Sequence, residues 1–393
     1  MAAFFNTGLS QQQFLDQYWQ KKPLLIRQAF TDFQSPISPD DLAGLACEPD
    51  IESRLIEENG ADGSWQVTSG PLSEDDFSRL PATHWTMLVQ DVDKHIADLQ
   101  YLLDPFRFIP DWRRDDLMIS YAPEHGTVGP HTDGYDVFLL QAMGSRRWQI
   151  GNKPIINPDL LDGLDVQILA EFSADEQWDL QPGDLLYLPP HFAHHGVALN
   201  DCMTFSVGFR APSQTDLLDS VINTLLEQGV ATGRYSDPDL SIAENNSEID
   251  SSAIQRMKSL LHQTIDQADP VLAQALGKFV TETKSTLTTL AAESLTDCAD
   301  EQELRMMFEQ GDSLQRNLYL RFAWTAIKGE GTLFMAGEAY SLEGNSLDFL
   351  TMLTENNEIT ATDWQHLQTD EPSVNLLCQL IAEGGWTWLS EQS

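Results

Sequence analysis

The middle of the chain alternates short apolar runs with turns that contain glycine or proline, a pattern typical of β-strands. Between residues 85 and 212 these runs read TMLVQ, DDLMISYA, YDVFLLQAM, RRWQI, GDLLYLPP and MTFSVGF. Many short strands separated by such turns predict a barrel or a sandwich. Ahead of them, a helix that follows the N-cap residue Ser10 is predicted by apolar side chains at helical spacing, namely Phe14, Leu15, Tyr18 and Trp19.

The pattern becomes helical after Ala211 and Pro212. Thr215 is suited to cap a helix whose apolar face is formed by Leu218, Val221, Ile222, Leu225 and Leu226. Two more amphipathic stretches, IQRMKSLLHQTI and VLAQALGKFV, follow. Beyond about residue 290, helices and the predicted hairpin RFAWTAIKGEGTLFMAGEAYSL favour a winged-helix-like module. We therefore expect an α+β chain in three parts: a β-rich region with N-terminal helices over 1–212, a helical region over 213–290 and a winged-helix-like region over 291–393.

The chain of 393 residues carries a formal net charge of −39. This charge argues against direct nucleic-acid binding, because phosphate groups would be repelled. It fits a general adaptation of solubility, and it equally fits attraction of a cationic protein substrate. The sequence does not separate these two interpretations.

The sequence also bears on where the protein acts. It has no run of eighteen apolar residues, so we expect no membrane span. The N-terminus lacks a basic segment followed by an apolar core, so we expect no secretory signal. Four widely spaced cysteines without a CxxC pair are typical of free thiols in a reducing cytoplasm: Cys47, Cys202, Cys298 and Cys378.

Two short segments carry side chains suited to a metal ion. His131 and Asp133 are separated by one residue, so on an extended strand both point to the same face. The segment PPHFAHHG, which follows a buried strand, offers His191, His194 and His195. One imidazole from this segment would complete two histidines and one carboxylate. That ligand set leaves positions open and is typical of non-haem Fe(II) that activates oxygen.

A metal of this kind can take a 2-oxo acid as co-substrate, and a dicarboxylate needs a cation at its far end. The stretch GSRRWQI offers Arg146 and Arg147, which face opposite ways on a strand. Arginine suits a carboxylate because its guanidinium can donate two parallel hydrogen bonds. Alternation alone does not choose between the two arginines.

The segment DDLMIS suggests where a substrate binds. Asp116 and Ser120 share one strand face, while Leu117 and Ile119 share the other. If the two apolar residues pack beneath the N-terminal helices, the carboxylate and the hydroxyl face the barrel interior. A carboxylate there could hold a cationic substrate group, and Ser206 in MTFSVGF could add a hydroxyl.

These segments together resemble a known family. HTDGYDVFLLQAMGSRRWQIG and GDLLYLPPHFAHHG are similar to the JmjC-type, 2-oxoglutarate-dependent ribosomal oxygenases. FLDQYWQKKPLLIRQAF, PDWRRDDLMIS and SVGFRAPS resemble the bacterial branch, which hydroxylates an arginine β-carbon of large-subunit ribosomal protein L-sixteen. The resemblance implies a double-stranded β-helix (cupin) barrel, a helical dimerisation region and a C-terminal winged helix.

The resemblance also implies roles for individual residues, position by position. The implied iron ligands are His131, Asp133 and His194. The implied co-substrate contacts are Arg146, with help from Ser120, and the implied substrate contacts are Asp116, Tyr135 and Ser206. The branch usually has Gly where His191 stands and Glu where His195 stands, so the roles of these two histidines stay open.

The implied activity is a cytoplasmic protein hydroxylase that uses Fe(II), 2-oxoglutarate and O₂, acts on a ribosomal protein and forms a homodimer. One alternative is a JmjC protein demethylase, which uses the same site but needs room for an N-methyl group. Another is a non-catalytic cupin module that binds the ribosome. Such a module would need neither the metal ligands nor Arg146.

Overall fold

The computed structural model describes residues 4–59, 64–164, 166–242, 245–295, 300–327, 329–342, 347–368 and 370–389. Cys298 lies outside these described residues. The chain divides into two compact units, one of Met1–Ala211 with Ser285–Leu290 and the other of Pro212–Lys284 with Ala291–Ser393. The three-part division expected from the sequence, with boundaries at 212 and 290, stays a prediction.

The first unit is built mainly of β-strands. Its strands are β1 (Leu24–Ile26), β2 (Ser53–Asn59), β3 (Ser64–Ser69), β4 (Trp85–Val89), β5 (Arg114–Ala122), β6 (Asp136–Met143), β7 (Arg146–Pro154), β8 (Glu176–Leu180), β9 (Leu185–Leu188), β10 (Phe192–Ala198) and β11 (Cys202–Phe209). Its α-helices are α1 (Gln11–Gln17), α2 (Pro39–Ala46), α3 (Glu74–Ser78) and α4 (Val92–His95). Three 3₁₀ turns precede β5, at Ala97–Leu102, Asp104–Phe106 and Asp111–Arg113.

The strands of the first unit form two antiparallel sheets. The larger sheet has the order β1-β9-β6-β11-β5-β4-β2-β3, and the smaller has the order β10-β7-β8. The inner faces of the two sheets share one apolar cluster, in which Val137 and Leu139 of β6 meet Trp148 and Ile150 of β7. The crossovers in both strand orders, together with this shared core, make a double-layered β structure.

The outer face of the larger sheet packs against the N-terminal helices. Leu117 and Ile119 of β5 lie in the same buried cluster as Phe14 of α1 and Leu42 of α2. Because side chains alternate along a strand, Asp116, Met118 and Ser120 of β5 face the space between the sheets. Helix α1 begins as expected after Ser10, whose side chain accepts the backbone N–H of residue 13 in a capping box.

The second unit contains helices and two small sheets. Its helices, with α8 at the boundary between the units, are α5 (Gln214–Glu227), α6 (Ser251–Asp266), α7 (Asp269–Thr281), α8 (Thr288–Ala292), α9 (Glu301–Gln310), α10 (Leu347–Glu355), α11 (Ala361–Leu367) and α12 (Glu371–Ala382). Its strands are β12 (Ser313–Arg316), β13 (Phe322–Ile327), β14 (Glu330–Met335), β15 (Glu338–Leu342), β16 (Glu358–Ile359) and β17 (Trp386–Leu389). They pair as β16-β12-β17 and as β13-β14-β15.

The predicted cap of α5 is wrong by two residues. Ser213, and not Thr215, accepts the backbone N–H of Asp216, whose carboxylate accepts the N–H of Ser213 in return. Either hydroxyl suits a cap, and the acidic partner three residues further on decides the start of this helix. Among the residues with described coordinates, no helix is both long enough and apolar enough to span a membrane.

Candidate metal centre

Backbone hydrogen bonds bring the two ligand segments together. The His131 N–H donates to the carbonyl of His194 over 3.0 Å, and the His194 N–H donates back over 2.9 Å. The N–H of His191 donates to the carbonyl of Asp133 over 2.7 Å. His191 has a φ of +67°, a left-handed conformation that glycine adopts freely and histidine only at a cost. The turn after Pro190 therefore sets the second segment against the first.

Three side chains converge at this junction. Ligand atoms of His131, Asp133 and His194 all lie within 4.8 Å of one another, and no other such group of three occurs in the described parts of the chain. His194 Nε2 is 3.5 Å from Asp133 Oδ2, and His131 Nε2 is 3.9 Å from Asp133 Oδ1. Two imidazoles and one carboxylate at this spacing fit a divalent metal with open coordination positions.

The histidine tautomers are set by backbone carbonyls. His131 Nδ1 lies 2.9 Å from the carbonyl oxygen of Gly129, and His194 Nδ1 lies 2.9 Å from that of Phe192. A carbonyl oxygen can only accept, so each Nδ1 carries the proton and each Nε2 keeps its lone pair for a metal. Burial, and then the neighbouring His131, lower the pKa of His194 to about 4, so this imidazole is neutral near pH 7.

The three side chains open onto a cavity of about 410 Å³ between the sheets. Arg146 of β7 lines the cavity and is 4% exposed. Its Nη1 donates to the Ser120 hydroxyl over 3.4 Å, while its Nε and Nη2 have no hydrogen-bond partner within the described residues. A buried cation with unmet donors is costly, so this end of the cavity fits an anionic ligand.

The second arginine of the pair faces the other way. Arg147 makes two hydrogen bonds to the carboxylate of Asp179 at 2.7 and 2.8 Å. Trp148 follows on the same strand face as Arg146, and its ring centroid is 5.8 Å from that of His194. The ring lies over Gly196, where an added Cβ would be 2.8 Å from it. The buried indole N–H, like the two arginine donors, has no partner within the described residues.

The other end of the cavity carries the residues expected to bind substrate. Asp116 and Ser206 are 6% exposed and Tyr135 is 43% exposed, and all three line the cavity. The Asp91 N–H donates to Asp116 Oδ2 over 3.2 Å. The negative charge of Asp133 raises the pKa of Tyr135 above its usual range, so the phenol stays protonated and can donate a hydrogen bond.

Sequence reasoning missed three residues at this site. Trp148 was visible in the sequence, but nothing showed that its N–H would be buried in the cavity. Arg54 lines the cavity from β2, a strand that the sequence pattern did not connect to the site. Gly208 leaves a gap beside the residues expected to bind substrate, because an added Cβ would lie 3.3 Å from Asp116 Oδ1. The strand alternation that placed Ser206 on this face could have found Gly208.

Comparison with known proteins agrees with this geometry. A JmjC domain model matches residues 101–217, and a ROXA-like winged-helix model matches residues 260–387. The ribosomal protein uL16 3-hydroxylase of Escherichia coli is 33% identical over 97% of this chain and 98% of its own length. The chain belongs to the JmjC ribosomal oxygenases. The family and the fold predicted from the sequence, a JmjC (cupin) barrel with a C-terminal winged helix, are thereby confirmed.

Other members of the family show the same extent of similarity. A probable ribosomal oxygenase of Haemophilus influenzae is 32% identical over 95% of this chain and 94% of its own length. The structure of YcfD, a ribosomal oxygenase from Escherichia coli, in complex with cobalt and 2-oxoglutarate has a TM-score of 0.81 at 31% identity, covering 98% of this chain and 99% of that one. A complex of YcfD with cobalt and succinic acid has the same TM-score.

Proposed function

We propose that this ribosomal oxygenase is a 2-oxoglutarate- and Fe(II)-dependent hydroxylase of an arginine β-carbon in uL16, the L-sixteen protein of the large ribosomal subunit. One observation carries the proposal: the ligand triad of His131, Asp133 and His194 shares a cavity with the buried and incompletely paired guanidinium of Arg146. The substrate follows from the Escherichia coli relative, which is named for the hydroxylation of uL16.

The three proposed ligands fit Fe(II). Bound Fe(II), with 2-oxoglutarate and O₂, supplies the oxidation that places one oxygen atom in a C–H bond while 2-oxoglutarate becomes succinate and CO₂. His131, Asp133 and His194 hold the metal through two neutral imidazoles and one carboxylate. Arg146 binds the distal carboxylate of 2-oxoglutarate, and the Ser120 hydroxyl orients the guanidinium.

The substrate arginine binds at the opposite end of the cavity. Asp116 pairs with the guanidinium of the substrate arginine. The Asp116 carboxylate is itself oriented by the backbone N–H of Asp91. The protonated phenol of Tyr135 and the Ser206 hydroxyl fix the position of the side chain. These contacts place the β-carbon beside the metal, and such placement accounts for a large part of the selectivity in enzymes of this kind.

Mass spectrometry tests this function. The protein is incubated with Fe(II), 2-oxoglutarate and peptides that cover uL16, and fragmentation locates any added oxygen. A gain of one oxygen on an arginine supports the proposal, with the peptide in which that arginine is replaced by lysine as control. Chromatography of the hydrolysed residue against a 3-hydroxyarginine standard assigns the oxygen to the β-carbon. Loss of a methyl group from a methylated peptide would instead identify a demethylase. Metal binding without any peptide product would leave a binding module.

We also propose that the protein forms a homodimer in the cytoplasm. Helices α5 and α6 each expose a row of apolar side chains that are at least half exposed: Leu218, Ile222 and Leu226 on α5, and Ile254, Met257 and Leu261 on α6. Such rows at helical spacing are typical of interfaces. Light scattering after gel filtration tests the proposal, and Ile222→Glu should yield monomers if α5 contributes to the interface.

A further inference from the structure

His195 directly follows the metal ligand His194 but lies on the other side of strand β10. Successive side chains of a strand point to opposite faces, so the His195 imidazole does not face the cavity. Its Nε2 instead lies 3.0 Å from the hydroxyl of Thr127, and its ring packs edge-on against Phe172 at a centroid distance of 6.2 Å. His195 therefore contacts the loop between β5 and β6, which is the loop that carries His131.

Thr127 connects this contact to the first metal ligand. Thr127 is 4% exposed, and its hydroxyl accepts the backbone N–H of Gly129 over 3.0 Å. The carbonyl of Gly129 in turn accepts the Nδ1–H of His131 over 2.9 Å. Three hydrogen bonds in series thus run from the back of one ligand strand to the ring of the other ligand.

Gly129, in the middle of this series, has no side chain of its own to hold its backbone in place. Gly129 has a φ of +81°, and an added Cβ would lie 3.0 Å from Ile168, so the position requires glycine. Glycine is the residue whose backbone is least restricted by its own structure. The Thr127 hydroxyl holds the peptide plane that enters Gly129, and the carbonyl that His131 contacts lies in the next plane, so this bond restrains the loop directly before that carbonyl. His195 holds the same hydroxyl from the opposite side.

We propose that His195 and Thr127 are positioning residues that hold the His131 imidazole in its metal-binding orientation. The proposal rests on the metal centre described above and is independent of the substrate. His194 needs no such arrangement, because its Nδ1 bonds the carbonyl of Phe192 within its own strand. Both rings thus bond a carbonyl two residues earlier, but the Phe192 carbonyl lies in strand β10, whereas the Gly129 carbonyl lies in a loop that the Thr127–His195 contact supports.

Titration with Co²⁺ alone tests the proposal, because it reports on the site without turnover. The affinity and the d–d absorption spectrum are measured for wild type, His195→Leu, His195→Gln, Thr127→Val and Thr127→Ser. Loss of a partner that orients a metal ligand costs about 10- to 100-fold in affinity, and we expect about tenfold for His195→Leu and for Thr127→Val. His195→Gln and Thr127→Ser can still form the hydrogen bond between positions 195 and 127, so both should keep the wild-type affinity and spectrum.

A double variant shows whether the two residues act through one bond. Thr127→Val with His195→Leu should bind Co²⁺ no more weakly than Thr127→Val alone, because the shared hydrogen bond is already lost. His125→Asn is the matched control: it removes an imidazole from the same loop, and asparagine tolerates the φ of +67° at this position. The thermal unfolding midpoint without metal shows that each variant is folded.

The possible results distinguish a failure of the positioning role from a failure of the metal centre. Weak binding by the Leu and Val variants, with rescue by Gln and Ser, supports the positioning role. Unchanged affinity and an unchanged spectrum in folded His195→Leu and Thr127→Val would overturn that role and leave the metal centre standing. Failure of the wild type to bind Co²⁺ would overturn both.

Discussion

The two ends of the cavity are built by different means. At the metal end, the His131 and His194 rings each bond a backbone carbonyl two residues away, and their two segments are joined through their backbones. At the substrate end, Asp116, Tyr135 and Ser206 are contributed by β5, the loop before β6, and β11, and Tyr135 is 43% exposed. Local bonds thus prepare the metal end, whereas the register of several strands determines the substrate end.

This difference suggests that chemistry and substrate choice can be altered separately. Variants at the metal end should abolish metal binding without changing the residues that face the peptide. Variants at the substrate end should lower peptide turnover while 2-oxoglutarate is still consumed. The four predictions below test this separation, beginning with the largest expected effect.

His194→Ala removes one of the three proposed metal ligands and should abolish function. Partners that merely orient a ligand are worth about 10- to 100-fold in metal affinity, so loss of the ligand itself should cost more than about 100-fold. Calorimetric titration with Co²⁺ and the hydroxylation assay measure the effect, with His125→Asn as control. Near-normal Co²⁺ binding by His194→Ala would show that the metal is held elsewhere.

Arg146→Met should raise the KM for 2-oxoglutarate by about 10- to 100-fold, the range for loss of a hydrogen bond to a charged group. Arg147→Met is the matched control, because Arg147 pairs with Asp179 on the other strand face and should leave this KM unchanged. Steady-state kinetics at varied 2-oxoglutarate gives both values. Equal KM values for the two variants would assign the carboxylate contact to another residue.

Asp116→Asn should lower hydroxylation of an arginine peptide by about tenfold or more, because an ion pair with the guanidinium becomes a hydrogen bond to an uncharged amide. The amide oxygen can still accept the Asp91 N–H, so the strand should keep its structure. Consumption of 2-oxoglutarate without peptide should stay near the wild-type rate. If peptide hydroxylation and peptide-free consumption fall together, Asp116 does not act through the substrate.

Gly208→Ala should have the smallest effect, a rise of up to about tenfold in the KM for peptide, the lower end for one extra carbon in a tight pocket. The new methyl group would lie 3.3 Å from Asp116 Oδ1 and narrow the substrate end. Gly151→Ala is the control, because its Cβ would meet only ordinary contacts at 3.6 Å. An altered KM for 2-oxoglutarate in Gly208→Ala would show that the two ends are not separable.

The metal end was largely predictable from the sequence. His131 and Asp133 lie two positions apart, and a histidine-rich segment follows a strand that ends in two prolines. Short-range geometry of this kind can be predicted from a sequence, because it depends only on the spacing of residues along the chain. The choice among His191, His194 and His195 did not follow from spacing, because the pairing of β10 with β7 shifts its register between Phe192 and His194.

The substrate end was less predictable, because it depends on which strands pack together rather than on spacing along the chain. Alternation gave the faces of Asp116 and Ser120, but it could not show that β2 would border the cavity and contribute Arg54. Alternation also left Arg146 and Arg147 equal, and the family resemblance chose between them. In the structure Arg147 is paired on the outer face and Arg146 is buried. Which face is buried depends on tertiary packing, which no local pattern contains.

The backbone bonds between the two ligand segments have one more consequence. They join His131 to His194 and His191 to Asp133 through groups that take no part in coordination. The backbone of the site can therefore form without an ion, and we expect the protein around it to stay folded when the ion is removed.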